Sequence, residues 1–156
     1  MQGKRVDESY TRMTELVLPN DANTQGNVLG GKVLHLMDLA GAVAAMRHCR
    51  NPVVTVSVDS VRFHHPVKIG HLMLLEAVVT RAFKTSMEIR VEVQSEHPYT
   101  GERQTTCTAF FTFVAIDSEG KPTPVPPAIA ETEEQKRRYE EALERRRRRL
   151  AANPNH

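Results

Sequence analysis

Asp38 breaks a local rule of this chain. It stands in the run Leu34-His35-Leu36-Met37-Asp38-Leu39-Ala40, where the pattern reads as an apolar helix. A carboxylate on such a face is costly unless a partner or a reaction uses it. Leu34 precedes it by four residues and Ala42 follows by four, so the three share one face. Two readings stand. In one, the acid sits at a helix edge and reaches solvent or an arginine of another chain. In the other, it is a general base or a nucleophile. Gly30-Gly31 opens the same helix. Such a pair can simply turn and cap the chain. It can also leave a helix start free of side chains, whose N–H groups and dipole polarise a carbonyl and hold an oxyanion. Asn23, just upstream, reads as a turn residue or as an amide that holds a water.

Other chemistries find less support. His64-His65 resembles a metal pair, but no third ligand follows at a recognisable spacing, so no metal is expected. Ser57, Ser60 and Ser86 lack the GxSxG setting of a nucleophile elbow. Cys49 falls at a helix C-terminus, which raises a thiol pKa, and Cys107 reads as core. Net charge is only +2 and aromatic residues are 5% of the chain, which gives no general pull toward nucleic acid. The run Arg145 to Arg149 reads as a solvated helix face, or as an attractor for a phosphorylated ligand or RNA. Neither cysteine is in a CxxC pair and no secretory signal opens the chain, so a cytoplasmic protein is expected. No apolar run approaches the roughly 20 residues of a membrane span.

The elements that must position these residues follow from the hydrophobic period. Tyr10 to Leu18 reads as a strand stopped by Pro19, after a frayed Met1 to Glu8. A helix runs from about Lys32 to His48, with Leu34, Met37, Gly41, Ala44 and Ala45 at helical spacing. Its small residues suit a helix that a sheet wraps around. Beyond Asn51-Pro52 the period changes to two. Val54, Val56 and Val58 alternate with Thr55, Ser57 and Asp59, and strands follow at His71–Ala82, Ser86–Gln94 and Gln104–Ile116. The prolines from Pro122 to Pro127 mark a linker to a charged helix, Glu131 to Leu150. The expected architecture is α+β: an antiparallel sheet around one central helix over residues 9–127, with a charged C-terminal helix and tail over 128–156.

These blocks together resemble a known family. The segment DANTQGNVLGGKVLHLMDLAGAVAAMRHC is similar to the acyl-CoA thioesterases of the hot-dog fold, above all the cytosolic long-chain acyl-CoA hydrolases and their small bacterial relatives. VVTVSVDSVRFHHPVKIG, KTSMEIRVEV and TAFFTFVAID followed by GKPTPVPP extend the resemblance over nearly the whole chain. It implies hydrolysis of medium- to long-chain fatty acyl-CoA to free acid and coenzyme A, without metal or other cofactor. It implies Asn23 and Asp38 as catalytic residues, in their DAN and LMD contexts. Gly30 and Gly31 would bind the oxyanion, and the turn Lys84-Thr85-Ser86 would lie near coenzyme A. Double-domain relatives carry the asparagine in one half and the aspartate in the other. This chain would therefore form a homodimer with shared sites, assembled as a trimer of dimers. Two alternatives on the same fold are a non-hydrolytic acyl-CoA sensor and a hydratase or dehydratase acting on acyl-CoA through an Asp-His pair. The segment before Asn23 is short for a sensor's helix-turn-helix, while His35 lies three residues before Asp38.

Overall fold

The structure, a computed structural model, describes residues 1–152; positions 153–156 of the expected tail lie outside the described residues. The elements in order are β1 (Lys4–Arg5), a 3-10 turn at Val6–Ser9, β2 (Thr11–Leu16), α1 (Gly30–Cys49), β3 (Val53–Phe63), β4 (Leu72–Ala82), β5 (Ser86–Glu96), β6 (Arg103–Ala115), β7 (Ala128–Ile129) and α2 (Glu133–Ala152). Five strands form one antiparallel sheet in the order β2-β4-β5-β6-β3. Its inner face curls around α1 and α2 lies on the outer face, so the expected α+β arrangement is the one adopted.

Helix α1 is nearly straight-sided in composition because the sheet needs close approach. Ala40, Gly41, Ala44 and Ala45 are buried. A Cβ at Gly41 would come within 3.0 Å of the Phe113 ring, closer than ordinary packing tolerates. Phe111 and Phe113, stacked at 6.1 Å, fill the space beside this stripe. Arg50 ends the helix in the left-handed conformation, and its N–H bonds to the Met46 carbonyl at 2.7 Å.

The N-terminus is ordered by partners far along the chain, which corrects the frayed segment expected there. Lys4 N–H bonds to the Pro127 carbonyl at 2.9 Å, and β1 pairs in parallel with β7. Val6 is buried in the core. The strand alternation expected in β3 is also interrupted. Thr55 pairs with Phe113 and Ser57 with Thr112, so Val56 is a bulge. The extra residue sends Thr55 toward α1 and Ser57 toward α2, although they are two apart.

The arginine run is not simply a solvated face. Arg145 grips the buried Glu88 carboxylate with two bonds of 2.9 and 2.8 Å, and its guanidinium lies 3.6 Å above the Phe110 ring. Arg149 bonds Asp59 at 3.0 Å. α2 thus docks through charge on a polar outer face, with Ala142 as its one fully buried apolar residue among those described.

Candidate active site

The loop before α1 is held as a small hairpin. Asn23 N–H bonds to the Asn27 carbonyl at 2.8 Å, and the Asn23 carboxamide oxygen accepts N–H bonds from Gln25 and Asn27. That fixes which way the amide faces: its oxygen is engaged in the turn, and its NH2 group is left to donate outward. Asn23 is exposed. Leu29 N–H returns to the Asp21 carbonyl at 2.8 Å, and Lys32 pairs with the Asp21 carboxylate at 3.6 Å. The loop is therefore anchored to the first turn of α1.

Gly30 and Gly31 form that first turn and are exposed. The N-cap is Leu29, which offers no side-chain bond. The leading N–H groups thus carry no capping oxygen and present a positive dipole end. A Cβ at Gly31 would meet nothing within 4 Å, so the space beside it is open.

Asp38 lies in the middle of α1, half-buried, and its Oδ1 accepts a 2.6 Å bond from the Thr55 hydroxyl. Oδ2 has no hydrogen-bond partner among the described residues. No hydrogen bond joins His35 to Asp38 there either, so the Asp-His pair is not formed. Thr55 is the residue that reading the sequence overlooked. It is one polar position in an alternating strand, 17 residues from Asp38, and nothing local connects them.

A rise of 1.5 Å per residue sets Asp38 about 12 Å along the axis from Gly30. No hydrogen bond joins Asn23 to Asp38 among the described residues. Within one chain, the first turn of α1 and the Asp38 carboxylate are too far apart to act on one carbonyl.

The turn Lys84-Thr85-Ser86 joins β4 to β5 at the far end of the sheet. Phe83 N–H bonds to the Ser86 carbonyl, the Lys84 carbonyl accepts Val125 N–H, and the Thr85 carbonyl accepts Ala115 N–H. Lys84 is exposed, while Ser86 is buried and takes a long 3.5 Å bond from Arg146. The turn's backbone is thus structural, and Lys84 makes no ion pair among the described residues.

The cysteines are sequestered. Burial raises the Cys49 thiol pKa and pushes Cys107 up to about 11. Among the described residues no three His, Cys, Asp or Glu side chains are placed to hold a metal. No helix there is long and apolar enough to cross a membrane.

One surface has no covering among the described residues. β3 is a sheet edge eleven residues long, and Val54, Val56, Val58 and Phe63 on it are 41–54% exposed. Leu39 and Met46 on α1 are exposed as well. An open apolar edge of this length is an association surface.

Residues 25–102 match the model of the Thioesterase superfamily. A Bacillus subtilis protein named "Uncharacterized acyl-CoA thioester hydrolase YkhA" is 43% identical over 138 residues, which is 88% of this chain and 80% of that protein. The cytosolic acyl coenzyme A thioester hydrolase of Rattus norvegicus is 38% identical, over 87% of this chain but 36% of its own length. The crystal structure of an apo-hexameric acyl-CoA thioesterase superposes with a TM-score of 0.95 at 44% identity, covering 100% of both chains. An acyl-CoA hydrolase of Staphylococcus aureus, solved with butyryl coenzyme A, superposes with a TM-score of 0.89 at 34% identity over 96% of this chain and 91% of its own. That enzyme has also been solved with single alanine replacements of an asparagine, an aspartate and a threonine, at successive spacings of 15 and 17 residues. Asn23, Asp38 and Thr55 have the same spacings of 15 and 17.

Proposed function

This chain belongs to the thioesterase superfamily, and from that premise we propose that it hydrolyses acyl-CoA thioesters to the free acid and coenzyme A, at sites shared between two protomers. The observation that carries the reading is the Thr55–Asp38 bond, which fixes a half-buried carboxylate with one oxygen free. The matched spacing of Asn23, Asp38 and Thr55 in a relative solved with butyryl coenzyme A supports it.

In this reading the thioester carbonyl sits at the α1 start of one protomer, and Gly31 N–H holds the oxyanion with Gly30 shaping the turn. One such donor is worth about 3 kcal/mol of transition-state stabilisation. Asn23 donates its NH2 group to the carbonyl or to the attacking water. Asp38 comes from the other protomer, oriented by its own Thr55. Its Oδ2 takes a proton from water as the water oxygen bonds to the carbonyl carbon. The tetrahedral intermediate then collapses, the C–S bond breaks, and coenzyme A leaves as a thiolate that recovers the proton. No cofactor is invoked. Lys84, with Thr85 and Ser86, faces the coenzyme A phosphates.

Two observations support the shared site. Asp38 is about 12 Å along α1 from the Gly30 turn of its own chain. The open edge of β3 offers the place where a second copy continues the sheet. A hexameric relative at 44% identity supports a trimer of such dimers. We place the protein in the cytoplasm, in keeping with its two free, buried cysteines. A medium to long acyl chain would run along the apolar flank of α1.

The test is thiol release from a panel of acyl-CoAs from acetyl to palmitoyl. The chain should release thiol, with a maximum at medium to long chains, and Asp38→Ala should lose about 10²–10⁴-fold in kcat while keeping its oligomeric state. Undiminished turnover by Asp38→Ala would overturn the assignment.

A further inference from the structure

The last turns of α2 and the outer face of the sheet line a half-open pocket of about 340 Å³, with Ser86 of the turn assigned to coenzyme A on its lining. This is within the range of small-ligand cavities. It lies across the sheet from Asp38, because the bulge at Val56 turns Ser57 away from Thr55. Its apolar walls are Val56, Val114 and Leu150. Its polar groups are unusually unsatisfied. The Ser57 and Thr112 hydroxyls are buried with no hydrogen-bond partner among the described residues, and Thr112 is only 3% exposed. Buried hydroxyls normally find partners, so a pair lining one cavity calls for an explanation.

The charge is uneven too. Arg149 is matched by Asp59 at 3.0 Å. Arg146 stacks on Phe83 at 4.2 Å and reaches Ser86 at 3.5 Å, but pairs with no carboxylate among the described residues. Burial, and then the charge of Arg149, lowers its guanidinium pKa. The pocket therefore holds one uncompensated positive charge, spare hydroxyl donors and a hydrocarbon wall.

We propose that this pocket binds an amphipathic carboxylate, with the head on Arg146, Ser57 and Thr112 and the alkyl chain along Val56, Val114 and Leu150. A planar monoanion matches one free guanidinium fork. The natural source is the fatty acid that hydrolysis releases. That clause rests on the proposed function; the binding itself does not.

The experiment is a titration of the methyl-labelled full chain with sodium decanoate, read by NMR. The methyl signals of Val56, Val114 and Leu150 should shift and saturate together. Arg146→Gln should weaken that response by about tenfold or more, as expected on losing a charged hydrogen-bond partner. Thr112→Val keeps the shape of the site and should weaken it severalfold. Absence of shifts at these methyls, or an equal response in both variants, overturns the proposal. Inorganic phosphate or AMP moving the same methyls more tightly than decanoate would reassign the site to phosphate and overturn it also. So would a raised KM for acyl-CoA in Arg146→Gln with decanoate binding intact, which would give the guanidinium to coenzyme A. The titration needs no turnover, so its failure is separable from a failure to hydrolyse acyl-CoA.

Discussion

The Thr55 hydroxyl donates to Asp38 Oδ1 at 2.6 Å, joining the third turn of the central helix to the edge strand of the sheet. This bond holds the carboxylate against a strand that is itself the open edge. Thr55→Val keeps the shape and removes the donor. We expect kcat to fall by about tenfold or more, with KM for acyl-CoA little changed, since one hydrogen bond to a charged group is worth about 1.5–3 kcal/mol. Thr55→Ser should recover most of the loss. Loss in Thr55→Ser with Thr55→Val near wild type would mean that the methyl group, not the hydroxyl, matters.

Separation of Asp38 from its own helix start predicts complementation. Asn23→Ala and Asp38→Ala homo-oligomers should each be nearly inactive. After subunit exchange, a mixed dimer holds one site with both residues intact. Mixing at equal ratio should restore roughly a quarter of wild-type activity, because half the dimers are mixed and each has one good site of two. Exchange confirmed by mass spectrometry without recovery would place both residues in one chain's site.

The Arg145–Glu88 pair joins α2 to the outer face. Glu88 is 2% exposed and takes a further bond from Thr80 at 2.6 Å. Arg145→Ala strands that carboxylate and should cost about 3–5 kcal/mol of stability. Arg145→Met with Glu88→Leu should recover much of it, because no buried charge is then left alone. Urea unfolding of the three proteins measures both differences.

His48 couples stability to pH. Its ring is fully buried, Nε2–H donates to the Pro126 carbonyl at 2.7 Å, and Nδ1 has no partner among the described residues. Burial lowers its pKa below the ordinary 6.5, opposed by the carbonyl contact. The unfolded chain then binds a proton near pH 6.5 that the folded chain refuses, so the stabilisation is complete above that value and is lost as pH falls through the lowered one. Unfolding midpoints of wild type should drop between pH 7 and 5 more steeply than those of His48→Gln. Parallel slopes would remove His48 as the cause.

The sequence was enough for much of this protein, for identifiable reasons. Helix and strands were legible because period 3.6 and period 2 are local, and each long element was placed within a few residues of where it lies. Asp38 and the Gly30-Gly31 turn stood out because each departs from its immediate surroundings. Tertiary structure decided what depends on residues far apart in the chain. The first eight residues are ordered because they bond to Pro127 and β7, not through any propensity of their own. The arginines of α2 look like a solvated run until Glu88 and Asp59 arrive from β5 and β3. The bulge at Val56 leaves no mark on an alternating strand, yet it alone turns Thr55 toward Asp38 and Ser57 toward Arg146's pocket. A side chain's type is local, but its partner is fixed by register and packing.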